Sequence, residues 1–209
     1  MAPLARLHLI TDTRPGRDAL RTIAAALAAG APLVQVRVED GTTDREAYEF
    51  AVRVRELCDE HGATCLVNDR VDVALAAGAA GAHVGDDDLP VAAARRVLGP
   101  AAVLGATCRD PAAAAEAVAA GASYLGVGPA FATNTKPGLP EPIGVDGVGA
   151  VAAAVPGTPV VAIGGVTAER VPSLLAAGAY GVAVVGAVSD AADPAEATRR
   201  LLAALGGTP

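Results

Sequence analysis

Gln35, Arg37 and Glu39 alternate at the end of an apolar run, LVQVRVED, and so share one face of an extended segment. Asn68 and Asp69 close a second such run, Asp86, Asp87 and Asp88 follow a third, and Thr107 ends a fourth. A later run opens into the polar loop GVGPAFATNTKPG, which carries Thr133, Thr135 and Lys136 between glycines and prolines. Lys136 is the only lysine among sixteen basic residues; the others are arginines. The last two runs end in Gly164 and Gly165, and in Val185 and Gly186. These residue types point to phosphate chemistry. Backbone N–H groups of glycines can close on a phosphoryl group. Two carboxylates at the ends of adjacent strands suit a Mg2+ ion that keeps several waters and also binds ligand phosphate oxygens. Lysine, unlike arginine, is a compact and rotatable point charge, suited to a phosphate whose charge moves during reaction. The residues therefore describe two anionic sites in one mouth: a glycine cradle for a monophosphate, and Mg2+ with Arg37 and Lys136 for a richer phosphate group.

Residues spread from 35 to 186 can share a mouth only if the chain keeps returning to one end of the molecule. The sequence repeats one phrase that does this: a helical pattern, a glycine, then a short apolar run, as in AALAAGAPLVQVR, ALAAGAAGAHVG, AVAAGASYLGVG and LLAAGAYGVAVVG. Glycine suits the left-handed position that closes a helix. Helix starts are equally readable: Thr43 with Glu46 forms a capping box, and Asp110-Pro111 and Asp193-Pro194 place a carboxylate before proline at the first helical position. Strands are expected at 7–11, 33–37, 64–68, 81–84, 102–106, 123–127, 159–163 and 180–185. They are near-continuous apolar runs, as parallel strands covered on both faces require. Alternation of these strands with helices over residues 1–209 predicts a single-domain (β/α)8 TIM barrel, whose chemistry lies where strands end. A doubly wound open sheet is the alternative, and the missing GxGxxG after the first strand counts against a dinucleotide fold.

Composition narrows the partners. A formal charge of −7 and a pI near 4.9 argue against nucleic acid or an anionic membrane surface. An anionic ligand must instead find a local pocket of donors, which favours small phosphorylated substrates. Residues are 52% hydrophobic but only 2% aromatic, so the core must be built from Ala, Val, Leu and Ile. The opening MAPLARLHLITD has no long apolar stretch of the signal-peptide kind, and no apolar run has the length of a membrane span. Cys58, Cys65 and Cys108 are odd in number and lack zinc-ligand spacing, so buried thiols in a reducing cytoplasm are expected. Homo-oligomerisation is left open.

Each residue also has a plainer role. Asp88, just before Leu89-Pro90, could cap a helix; Asp69 could pair with Arg70; the glycines could serve packing. His83 is expected to pack in its strand and Cys108 to fill space. What favours the site is that all these features fall at one end of one barrel.

The segments LHLITD, LVQVRVED, LVNDRVDVAL, GAHVGDDDLP, GASYLGVGPAFATNTK and VVAIGGVT, in that order, resemble the thiamine-phosphate synthase family over nearly the whole chain. The most specific parts are NDRVD, the aspartate before LP, and the GP-x-F-x-T-x-T-K loop. The resemblance implies a Mg2+-dependent transferase that joins hydroxymethylpyrimidine diphosphate to hydroxyethylthiazole phosphate, releasing pyrophosphate and forming thiamine phosphate. It implies that Asp69 and Asp88 hold Mg2+. Gln35, Arg37, Asn68, Thr107 and Lys136 would contact the pyrimidine diphosphate, with Arg37, Thr107 and Lys136 serving the reaction itself. Thr133, Thr135, Gly165, Val185 and Gly186 would hold the thiazole phosphate. Thr107 and Gly186 stand where the family usually has serine; a hydroxyl survives at the first and a backbone donor at the second. Glu39 stands on the substrate face where the family pattern Q-x-R-x-K has lysine. It is expected to turn aside and pair with Arg37 or Arg70. The alternative functions are a thiazole tautomerase, a Schiff-base aldolase using Lys136, and a non-catalytic binder of phosphate ligands.

Overall fold

The computed structural model describes residues 4–133, Thr135 and 138–206. Eight parallel strands close a barrel in chain order: β1 (Leu7–Ile10), β2 (Leu33–Val36), β3 (Thr64–Asn68), β4 (Gly81–Val84), β5 (Val103–Cys108), β6 (Tyr124–Val127), β7 (Val160–Ala162) and β8 (Gly181–Val184). The seam is closed by β1 against β8, with Leu7, His8 and Leu9 in register with Val182, Ala183 and Val184. This is the expected barrel, not the open sheet. Two strand ends differ in a way that matters for the site. β2 stops at Val36, which leaves Arg37 and Glu39 in the following loop, and β5 runs on to Cys108, which holds Thr107 within the strand.

Helices α1 (Ala19–Ala28), α2 (Asp44–Glu60), α3 (Val71–Ala76), α4 (Val91–Leu98), α5 (Pro111–Ala119), α6 (Gly144–Ala154), α7 (Val171–Ala176), α8 (Gly186–Ser189) and α9 (Pro194–Ala204) alternate with or follow the strands. The repeated glycine does what its position requires: Gly30, Gly78, Gly121 and Gly178 have φ of 95°, 68°, 103° and 104°. The Thr43–Glu46 capping box forms at α2, and Asp110 and Asp193 accept backbone N–H groups at the starts of α5 and α9.

Between strands and helices lies a large core of Ala, Val and Leu, as the composition demands. Inside the barrel a second, smaller cluster joins Ile10, Leu33, Leu66, Tyr124, Val161 and Ala183. Polar side chains share this interior, and glycine makes it possible. A Cβ at Gly105 would collide with Tyr124 Cζ and His83 Nδ1, and one at Gly126 would lie 2.8 Å from His83 Cε1. Glycine weakens a strand, but at these two positions it admits an aromatic and an imidazole to a narrow barrel.

Candidate active site at the carboxyl ends of the strands

On the β2–β5 side the expected residues meet in pairs. Gln35 is buried and donates from Nε2 to Asn68 Oδ1 at 2.6 Å, tying β2 to β3. Arg37 is anchored through its backbone by the Thr11 hydroxyl, and its Nη1 donates to Glu39 Oε1 at 3.0 Å. Glu39 thus takes the first of its two expected partners; Arg70 binds Asp44 at 2.6 Å and Asp72 at 3.5 Å instead. Arg14 also feels the charge of Glu39, so two cations balance this carboxylate.

Asp69 follows β3 with φ of 63°, the one positive value among described non-glycine residues, and its N–H donates to His83 O on β4 at 2.7 Å. An aspartate held in this region marks a position fixed by its surroundings. Asp88 does not cap α4, whose N-cap Pro90 has no side-chain bond; its Oδ2 accepts the Gly85 N–H at 2.7 Å and closes a tight turn. A Cβ on Gly85 would lie 3.2 Å from Asp88 Oδ2 and 3.9 Å from Thr107 Oγ1, so Asp88 and Thr107 flank the same glycine. Among the described residues no three His, Cys, Asp or Glu side chains gather as a metal cluster.

On the β6–β8 side backbone and hydroxyls dominate. Thr133 and Thr135 share a hydrogen bond at 3.1 Å, and Thr135 Oγ1 lies 3.9 Å from where a Cβ on Gly186 would stand. Gly186 opens α8 after Val185 with no side-chain cap, which leaves its first N–H groups as donors at the mouth. Gly165, with φ of 61°, is crowded: a Cβ there would meet Ala132 O at 2.5 Å and Phe131 Cβ at 2.9 Å. Its packing role, the plainer reading of this glycine, is therefore visible. Arg170 clasps the pair, donating to Gly165 O and lying 4.4 Å over the Phe131 ring. Lys136 falls outside the described residues.

Two features were not foreseen, the hydrogen bonds of His83 and the cluster around Asp12. His83 does more than pack: its Nδ1 and Nε2 each lie 3.0 Å from a hydroxyl, of Tyr124 and Thr107. Burial lowers its pKa to about 4 and raises that of the Tyr124 phenol, so both are neutral near pH 7. Asp12, buried after β1, accepts a fork of two bonds from Arg14, both at 2.7 Å, and a third from the Ser189 hydroxyl at 3.0 Å. Arg14 holds its carboxyl down at about 2. Arg17 bridges Asp12 and Asp190, which locks the β1 loop to the β8 end. Cys108 is buried with its thiol pushed up to about 11, chiefly by desolvation, consistent with a filler.

A model of the thiamine monophosphate synthase family matches residues 7–188. The thiamine-phosphate synthases of Salinispora arenicola and Salinispora tropica are 64% and 65% identical to this chain, each over 98% of it and 99% of the relative. A solved thiamine phosphate pyrophosphorylase from Pyrococcus furiosus superposes with a TM-score of 0.87 at 35% identity, covering 96% of this chain and 95% of that one. A 3-hexulose-6-phosphate synthase, at 20% identity and a TM-score of 0.74, shares the fold alone. The chain belongs to the thiamine monophosphate synthase family, and with it to the transferases of thiamine biosynthesis.

Proposed function

We propose that this mouth joins hydroxymethylpyrimidine diphosphate to hydroxyethylthiazole phosphate, forming thiamine phosphate and releasing pyrophosphate. The observation that carries the reading is the division of one mouth into two unlike halves. The β2–β5 ends bring a guanidinium, two amides, a hydroxyl and three carboxylates, of which Glu39 is paired with the guanidinium. The β6–β8 ends bring threonine hydroxyls beside an uncapped helix start. A diphosphate that departs as its charge grows needs the first set, and a phosphate that serves only as a handle needs the second.

Asp69 and Asp88 are hard oxygen donors at the ends of adjacent strands, a set that fits Mg2+, which takes one or two carboxylates and completes its shell with water and substrate phosphate. Bound to them, Mg2+ would supply neutralisation of charge on the phosphate oxygens. Arg37 and Lys136 stabilise the charge that grows on pyrophosphate as the carbon–oxygen bond breaks and its electron pair leaves with oxygen. The electron-rich aminopyrimidine stabilises the cation left behind. Gln35 and Asn68, already bonded to each other, offer an oriented polar edge to the pyrimidine side. Thr133, Thr135, Gly165, Val185 and Gly186 hold the thiazole phosphate so that the ring nitrogen's lone pair meets that carbon. Little proton chemistry is needed. Orientation and exclusion of water carry the rate, because water would capture the cation. This reading makes the protein a cytoplasmic enzyme of small phosphorylated substrates; among the described residues no helix is long and apolar enough to cross a membrane.

The test is product formation from purified protein and both substrates with Mg2+. Pyrophosphate and thiamine phosphate should appear in equal amounts, only when both substrates are present, and excess chelator should stop both. Tight binding of both ligands without product would instead indicate a binding protein.

A further inference from the structure

His83 stands between two hydroxyls inside the barrel, with Nδ1 3.0 Å from Tyr124 Oη and Nε2 3.0 Å from Thr107 Oγ1. A neutral imidazole has one N–H and one lone pair, so the two bonds must run in a fixed sense. Tyr124 decides which. Its side chain is 1% exposed, and among the described residues its phenol has no other hydrogen-bond partner. His8 lies edge-on at 5.0 Å, but among the described residues its own Nδ1 is buried without a partner, so it does not receive the phenol proton. If His83 donated from Nδ1 to the Tyr124 oxygen, the phenol proton would be buried with no acceptor, an arrangement folded proteins avoid. The phenol therefore donates to Nδ1, the imidazole proton resides on Nε2, and Nε2–H donates to Thr107 Oγ1.

Thr107 is then left with a free proton to give. It is only half-buried, at the mouth, and flanks Gly85 opposite Asp88. We propose that Tyr124 and His83 are positioning residues that fix the direction of the Thr107 hydroxyl, so that it donates a hydrogen bond to a phosphate oxygen of the bound diphosphate. The opposite tautomer would draw the Thr107 proton inward and turn its lone pairs toward an anion. This inference rests on the proposed reading that Thr107 faces the diphosphate. It adds that a phenol three hydrogen bonds removed from the anion governs its affinity.

The experiment combines histidine-labelled NMR with titration of inorganic pyrophosphate in Mg2+. In the unsubstituted protein the His83 nitrogens should report a proton on Nε2 and none on Nδ1, and in Tyr124→Phe the signals should move toward the other tautomer. Tyr124→Phe should weaken pyrophosphate binding about tenfold, the scale of one hydrogen bond to a charged group, while thiazole phosphate binding is unchanged. Thr107→Ser should retain affinity. Thr107→Val should lose about as much as Tyr124→Phe, and adding Tyr124→Phe to it should cost nothing more. A proton on His83 Nδ1 in the unsubstituted protein would overturn the inference, and so would an equal loss from Tyr124→Phe in the Thr107→Val background. If Thr107→Val binds pyrophosphate normally, the assignment of Thr107 to the diphosphate fails first, and the positioning role falls with it.

Discussion

The two halves of the mouth differ in what they would offer a phosphate. At the ends of β2–β5 the candidate groups are side chains that already hold partners: Gln35 with Asn68, Arg37 with Glu39, Thr107 with His83, and Asp88 with the Gly85 N–H. At the ends of β6–β8 they are backbone and short hydroxyls, with Gly165 wedged against Phe131 and Ala132 and Gly186 beside Thr135. On the proposed reading the first half would exchange partners as charge moves, each bond to a neighbour being traded for one to ligand. In the second, packing holds Gly165 against its neighbours. A reacting diphosphate and an inert phosphate handle would sort between them on that ground alone.

The strongest way to break this comparison is to remove the cations of the first half. Arg37→Ala should lower turnover on the order of a hundredfold, the scale of one lost electrostatic contact to a leaving group, while thiazole phosphate affinity stays constant. Lys136→Ala should act in the same direction, and borohydride should trap no substrate adduct on the lysine. An adduct would indicate an aldolase. Next in size is metal dependence. Asp69→Asn or Asp88→Asn should raise the Mg2+ concentration needed for turnover by at least about tenfold. Undiminished turnover in excess chelator would contradict the assignment of these carboxylates.

A smaller effect comes from the interior on which both halves stand. Burial lowers His8 from 6.5 to about 4. Between these values the unfolded chain binds a proton that the native state does not, so stability rises with pH across this window and is lost as pH falls through it. His83 is lowered over the same window, so denaturant melts from pH 7 down to pH 4 should lose roughly 3 kcal/mol more in the unsubstituted protein than in His8→Phe, which keeps only the His83 contribution. Asp12 acts below that range: with its pKa lowered to about 2, its contribution is complete above its ordinary value near 3.8 and disappears as pH falls through 2.

The smallest effect expected is at Glu39. Because it bonds Arg37 at 3.0 Å, with Arg14 also near, Glu39→Lys would set cations against each other. The pyrimidine diphosphate KM should stay level or worsen slightly. A tighter KM and faster turnover would mean that the native carboxylate impairs the site.

Much of this was legible before any coordinates. The strands were readable because parallel strands buried on both faces must be short apolar runs, and the helix ends because a left-handed residue favours glycine, as Gly30, Gly78, Gly121 and Gly178 show. The Arg37–Glu39 pair was legible because alternation places both on one face. What escaped was any bond that depends on strand register or barrel closure. Asp12 meets Ser189 across 177 positions only because β1 closes on β8. His83 reaches Tyr124 and Thr107 only because Gly105 and Gly126 leave an interior wide enough. The crowding at Gly165 was hidden for the same reason, and it changes the useful test. A bulky residue there would displace Ala132 whatever the glycine binds, whereas among the described residues a side chain at Gly186 meets first the carboxylate end of Asp190 at 2.7 Å, a side chain rather than backbone, and then Thr135 at 3.9 Å.

The division of labour is tested most directly by one crossed titration: separate binding of each substrate to Arg37→Ala and to Gly186→Val, with Gly186→Ser as a control that should bind normally. Arg37→Ala should weaken only the pyrimidine diphosphate, and Gly186→Val only the thiazole phosphate, each by about tenfold or more. Equal weakening of both ligands by either variant, with melting temperature unchanged, would contradict two separate anion sites in one mouth.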